Sequence, residues 1–227
     1  MKVINDKKET LHHRSLQIIE LLFGVLFPLF VFIVIGVGIW MYGSFNGEVS
    51  ILRYIHHFAT PHRDSLMVFL TTIGGVRYII PVAVIIALFL AGYKRLREAG
   101  FLLLATGGAA VLNVIIKSTF HRARPHFWLS PAPEFDFGFP SGHSMMTMAL
   151  VIALVVLLWH TRWRWCAIIA GGTFVLAVGL SRLYLGVHYP SDVLAGWSVS
   201  MAWVLGNSLY WGQRKFTVFV DREKAEW

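Results

Sequence analysis

The sequence predicts an all-α membrane protein, a bundle of six transmembrane helices with both termini in the cytoplasm. Three observations carry that prediction. Hydrophobic residues make up 56% of the 227-residue chain and charged ones only 14%, with a mean hydropathy of +0.63. A soluble domain of this size does not need so much apolar surface. The apolar residues gather into runs of about 16 to 21, roughly 24–32 Å of helix and close to the hydrocarbon thickness of a bilayer. The basic residues gather between the runs, and they do so unequally.

The first run, 21–41, is longer than the apolar core of a signal peptide and no small-residue cleavage site follows it. It reads as an uncleaved first helix. Residues 76–93 give the second, a weaker one because Arg77 stands near its start. Runs 100–116, 143–159, 165–180 and 193–210 give the third to sixth. Several are short, so either the helices extend past these limits or the bilayer thins locally. Thirteen Lys and Arg fall at the N-terminus, in 93–98, in 161–164 and in the tail, against seven on the other side. The excess places the first set, and both termini, in the cytoplasm. Trp159, Trp163, Trp165 and Trp211 then lie near the inner boundary and Trp40 near the outer, as an aromatic belt requires.

Between the first two runs, Ile51, Leu52, Ile55, Phe58 and Ala59 share one helical face, with Arg53, His56 and His57 off it. This segment is either a helix lying in the outer interface or an ordinary structured loop. The organisation expected is a cytoplasmic segment (1–20), one six-helix unit (21–212) and a cytoplasmic tail (213–227).

Some functions are set aside by composition. The net charge of +8 is explained by membrane topology, and no nucleic-acid partner is expected. One cysteine, Cys166, excludes an intrachain disulfide and any Cys-cluster metal site. The adjacent pairs His12-His13 and His56-His57 point in divergent directions, so no metal or other cofactor is expected there.

Helix parity makes the remaining ionisable residues informative. Lys117 ends helix three and Arg124-Pro125 follows it; Pro140-Ser141-Gly142-His143 opens helix four; Ser181-Arg182 closes helix five; His188 and Asp192 precede helix six. All reach one membrane face. Taken singly, Lys117 and Arg182 could be stop-transfer charges, Arg124-Pro125 a turn, and His188 with Asp192 a local cap. Three clusters converging on one face point to function instead. Lys117, Arg124 and Arg182 supply three positive charges, two of them planar forks suited to phosphate oxygens. Ser141 can cap helix four, whose free N–H groups attract an anion, and Gly142 lets the backbone approach it. His188 and Asp192, four apart, match a base with its orienting carboxylate, which leaves His143 as a general acid. Phosphoryl transfer needs little beyond such positioning and charge. His121, Arg122 and His126 are expected at the rim of the same loop.

These residues fit K-x6-R-P (Lys117 to Pro125), P-S-G-H (Pro140 to His143) and S-R-x5-H-x3-D (Ser181 to Asp192). In order and spacing they resemble the three signature motifs of the type 2 phosphatidic acid phosphatase superfamily, the lipid phosphate phosphatases. The resemblance implies a metal-independent phosphatase of a lipid phosphate or diphosphate. His188 would attack phosphorus to give a phosphohistidine, Asp192 would orient it, and His143 would protonate the leaving group. Lys117, Arg124, Ser141, Gly142 and Arg182 would hold the phosphate. Phosphatidylglycerophosphate and undecaprenyl diphosphate lead the substrates implied, in a bacterial inner membrane with the site facing the periplasm or exterior. Vanadium-dependent haloperoxidases share the motifs but resemble larger soluble proteins. A proton-coupled transporter would want its charges near the midplane rather than at helix ends.

Overall fold

A helix stands at each of the six apolar runs in the computed structural model, which describes residues 18–212. All regular structure among these residues is helical: α1 (Glu20–Tyr42), α2 (Glu48–His56), α3 (Pro61–Ile73), α4 (Val76–Gly92), α5 (Leu96–Phe120), α6 (Gly142–Leu158), α7 (Arg164–Tyr184) and α8 (Pro190–Gly212). The first turns of α1 are wound as a π-helix, Glu20–Leu26. The tail, His12-His13 and all but the end of the N-terminal segment lie outside the described residues.

By length and composition, α1, α5 and α7 can cross a membrane; α3 and α4, bent by 45° at Gly74 and Gly75, add a fourth span if they count as one. α6 is apolar but shorter, at 17 residues. The sequence reading missed α3. Its start is nonetheless marked: Thr60 caps it by accepting from Arg63 N at 3.3 Å, and Pro61 takes the first position, where a missing N–H costs nothing.

Residues 51–56 are helical and 57–59 are not, and the buried face differs from the expected one. Leu52 is buried while Ile51 and Phe58 are exposed, and α2 starts earlier, at Glu48. Glu48 turns inward because a cation awaits it there, as described below.

The central helix is α6, packed against α4, α5, α7 and α8; α1 lies on α8, and α3 on α7. Small residues let these helices approach closely. Ala83, Ala87, Ala105, Ala109, Ala149 and Ala153 are all buried, around Phe101, Leu102 and Met146. At Gly179 a Cβ would collide with the Trp197 ring, so glycine there lets α7 lie close against α8. The outer surface carries Phe23, Phe30, Ile85, Leu88, Val114 and Ile169, each more than half exposed, which suits a lipid surround.

Candidate active site

Four chain segments meet at one end of the bundle: the end of α5 with the loop after it, the start of α6, the end of α7, and the turn into α8. Local sequence shapes each one. Ser141 caps α6 by accepting from Ser144 N at 3.4 Å, and its own N–H donates to Asp192 O at 3.0 Å. That bond ties the first turn of α6 to the first turn of α8. Asn113, on α5, donates to Pro140 O at 3.2 Å. A Cβ on Gly142 would lie 3.0 Å from Asn113 Oδ1, so the close approach made at this glycine is to an amide. Gly186 takes φ +67° beneath Trp128, a left-handed turn that glycine adopts freely. It ends α7 and leads the chain to His188.

His188 is fully buried. Its Nδ1 faces Asp192 Oδ2 at 3.4 Å, within ion-pair range but without a hydrogen bond. Its Nε2 lies 2.8 Å from Arg124 Nη1, and the same Nη1 donates to Val187 O at 2.8 Å. Burial first, then Arg124, Arg182 and Lys117, hold His188 well below the ordinary imidazole value. It is therefore neutral near pH 7, with its Nε2 lone pair turned to Arg124.

The cations close around two carboxylates that sequence reasoning had not singled out. Glu134 pairs with Arg182 Nη2 and, at 2.6 Å, with Arg124 Nη2; its oxygens stand 3.5 Å from His143 Nδ1 and 3.8 Å from His188 Nε2. Asp136 pairs with Lys117 and with Arg124. Arg182 also donates to Thr71 on α3, while its Nε is buried without a hydrogen-bond partner. Burial pushes the Glu134 carboxyl up, but Arg182, Arg124 and His143 outweigh it and the group sits below its ordinary value. Asp136 behaves alike, its burial outweighed by the Lys117 hydrogen bond and the Arg124 charge. Lys117, Arg124, Arg182, His143 and His188 thus form one ring about these oxygens, with Asp192 behind His188. His143 is also approached by the α3–α4 bend, where a Cβ on Gly75 would sit 3.2 Å from its Nε2.

Arg122 is not a rim residue. It is 6% exposed and pairs with both Asp192 and Glu48. Nothing in motif spacing marks Arg122 or Glu48. The available signals were few: Glu48 opens a segment otherwise apolar on one face, and Glu134 and Asp136 bring opposite charge into a cation-rich loop.

A buried histidine backed by a carboxylate and ringed by cations has the charge and geometry that phosphoryl chemistry needs, here on a multi-pass membrane scaffold. A sequence profile described as the PAP2 superfamily matches residues 98–216, and the chain belongs to that family. Phosphatidylglycerophosphatase B of Bacillus subtilis is 32% identical over 149 residues, 62% of this chain and 71% of its own length. The undecaprenyl-diphosphatase of Sulfolobus acidocaldarius is 30% identical over 186 residues, 78% of this chain and 85% of its own. The crystal structure of a transmembrane PAP2-type phosphatidylglycerolphosphate phosphatase from Bacillus subtilis superposes with a TM-score of 0.73 at 26% identity, covering 85% of this chain and 98% of that one. The protein is a phosphoric ester hydrolase of the lipid phosphatase class.

Proposed function

We propose that the protein removes phosphate from a membrane lipid phosphate or diphosphate through a phosphohistidine, without a metal ion, at the outer face of a bacterial inner membrane. Phosphatidylglycerophosphate and undecaprenyl diphosphate are the substrates we assign, following the names of its relatives. The observation that carries this is the direction of His188: Nδ1 toward Asp192, and Nε2 into the ring of Lys117, Arg124 and Arg182.

The reaction then runs in two displacements. As Arg124 Nη1 turns from His188 Nε2 to the phosphate oxygens, the freed Nε2 lone pair of neutral His188 attacks phosphorus, a P–N bond forms, and the bridging P–O bond breaks as His143 gives a proton to the departing oxygen. Asp192 stabilises the imidazole as it becomes positive. Water then attacks phosphorus, His143 takes back a proton, the P–N bond breaks, and inorganic phosphate leaves. Lys117, Arg124, Arg182 and the N–H groups of Gly142 and His143, at the start of the helix that Ser141 caps, stabilise the charge on the equatorial oxygens. The unpartnered Arg182 Nε supports this, since a buried donor is costly until an oxygen reaches it. Glu134 and Asp136 occupy phosphate-like positions and would withdraw as substrate binds.

For topology we propose six crossings formed by α1, the α3–α4 pair, α5, α6, α7 and α8. Residues 21–212 would be the catalytic unit, with 1–20 and 213–227 in the cytoplasm. The test is phosphate release by the purified protein in detergent, with and without EDTA, from a panel of phosphatidylglycerophosphate, undecaprenyl diphosphate, phosphatidate, diacylglycerol pyrophosphate and lipid A phosphates. Turnover that survives chelation and favours one of the first two lipids is expected. Loss on EDTA with recovery on adding a divalent ion would overturn it.

A further inference from the structure

Behind His188 and Asp192 lies a second charged group. Asp192 divides its two oxygens: Oδ2 accepts from Tyr189 N at 2.8 Å and faces His188, while Oδ1 accepts from Arg122 Nη1 at 2.5 Å. Arg122 uses its other donors on Ser191 Oγ (2.7 Å), Gly43 O (3.1 Å) and Glu48 Oε2 (2.8 Å). Glu48 Oε1 in turn accepts from Ser191 N at 3.0 Å and Ser191 Oγ at 2.5 Å. Glu48, Arg122, Ser191 and Asp192 are all buried.

We infer that Glu48 and Arg122 are positioning residues for phosphoryl transfer: Glu48 holds one arm of the Arg122 guanidinium, so that Arg122 grips Asp192 by Oδ1 alone and leaves Oδ2 to His188. This rests on His188 being the nucleophile.

The two outer nitrogens of a guanidinium match the two oxygens of one carboxylate, and the bidentate pair is the geometry it favours. Free to choose, Arg122 would take both oxygens of Asp192 and draw Oδ2 from the line to Nδ1. Glu48 prevents this by occupying Nη2. Its charge also balances Arg122, so the charge of Asp192 remains available to the imidazole as it becomes positive. Neither residue touches the substrate; both act through Asp192. Glu48 comes from α2, so the helix beside the site has a part in the chemistry as well as in the packing.

The full-length protein in detergent is assayed on undecaprenyl diphosphate and on short-chain phosphatidylglycerophosphate. Glu48→Gln should lower kcat about tenfold with KM unchanged within about twofold, because only an outer partner of the nucleophile is altered. The decisive comparison uses Asp192→Asn as background. With no Asp192 charge left to divide, adding Glu48→Gln should change kcat by less than about twofold. A merely structural role would give the same loss in both backgrounds, and that result overturns the inference. Ser191→Ala removes one bridging hydroxyl at little cost to packing and should show the same non-additivity with a smaller loss. It carries the test if Glu48→Gln fails to elute as a folded species. His188→Ala separates the two levels: activity there defeats the nucleophile assignment, whereas a dead His188→Ala beside a fully active Glu48→Gln defeats the positioning role alone.

Discussion

Arg124 Nη1 lies 2.8 Å from His188 Nε2, on the ring nitrogen that faces away from Asp192. A guanidinium nitrogen can only donate, so Nε2 is an acceptor and the ring proton sits on Nδ1. Burial and the neighbouring cations hold the group well below its ordinary value of 6.5. The neutral Nδ1-protonated tautomer should therefore persist as the pH is lowered through 6.5. Nitrogen NMR of ¹⁵N-histidine-labelled protein, with His188→Gln to assign the signal, checks this. A His188 ring that protonates at or above pH 6.5 would contradict it.

The three groups to which we assign the chemistry should fail differently. His188→Ala removes the attacking atom, so turnover of every substrate should vanish and rapid-quench labelling should trap no phosphoenzyme. Asp192→Asn keeps the shape but loses the charge behind Nδ1; a loss on the order of 10²–10⁴-fold, large but incomplete, is expected. His143→Ala removes the proton donor, so leaving-group chemistry decides the damage. A lipid alkoxide needs that proton, while the phosphate monoester leaving a diphosphate lipid needs it less. His143→Ala should therefore harm monophosphate substrates more than diphosphate ones. Equal losses on both would argue against His143 as the general acid.

Glu134 holds Arg124, Arg182 and both histidines, the groups that the proposed function gives to the substrate phosphate. Glu134→Gln removes the competing charge, so orthovanadate, an analogue of the phosphoryl transition state, should inhibit about tenfold more tightly, ~1.4 kcal/mol. Unchanged or weaker inhibition would show that the carboxylate does not oppose anion binding. The pH dependence of stability should follow as well. Glu134 and Asp136 sit below their ordinary values in the folded protein. Their stabilisation is thus present above the unfolded carboxylate range and lost as the pH falls through the lowered folded values. Glu134→Gln with Asp136→Asn should lose less Tm on acidification than the parent protein.

Much of this was legible in the sequence for physical reasons. Apolar runs mark the helices because lipid rewards them, and parity then puts Lys117, Arg124, His143, Arg182 and His188 at one end. Ser141 was readable as a cap because its side chain precedes an apolar run, and it caps α6. What escaped depends on contacts without periodicity. α3 has Asp64 and Ser65 in its first turns and so makes no continuous apolar run. The Arg122–Glu48 pair spans 74 residues, and opposite charges carry no register from which a partner could be read. Glu134 and Asp136 lie in an irregular loop whose path is set by the cations it meets.

The bend between α3 and α4 offers a final test because it reaches the chemistry through space alone. Gly75 has φ −76° and ψ 158°, ordinary extended backbone that alanine adopts without strain. An added Cβ would nevertheless lie 3.2 Å from His143 Nε2 and 3.2 Å from Thr72 O, tighter than comfortable packing. One neighbour must yield, and a histidine side chain yields more easily than helix backbone. Gly75→Ala should therefore displace the imidazole slightly and lower kcat a few-fold, while Gly75→Val should cost about tenfold or more, since small misplacements of catalytic groups are expensive. Because the damage falls on the proton donor, both variants should resemble a weakened His143→Ala and spare the diphosphate lipid relative to the monophosphate. If Gly75→Val lowers kcat equally for the two lipids while the protein stays folded, the bend acts on the site by some route other than His143.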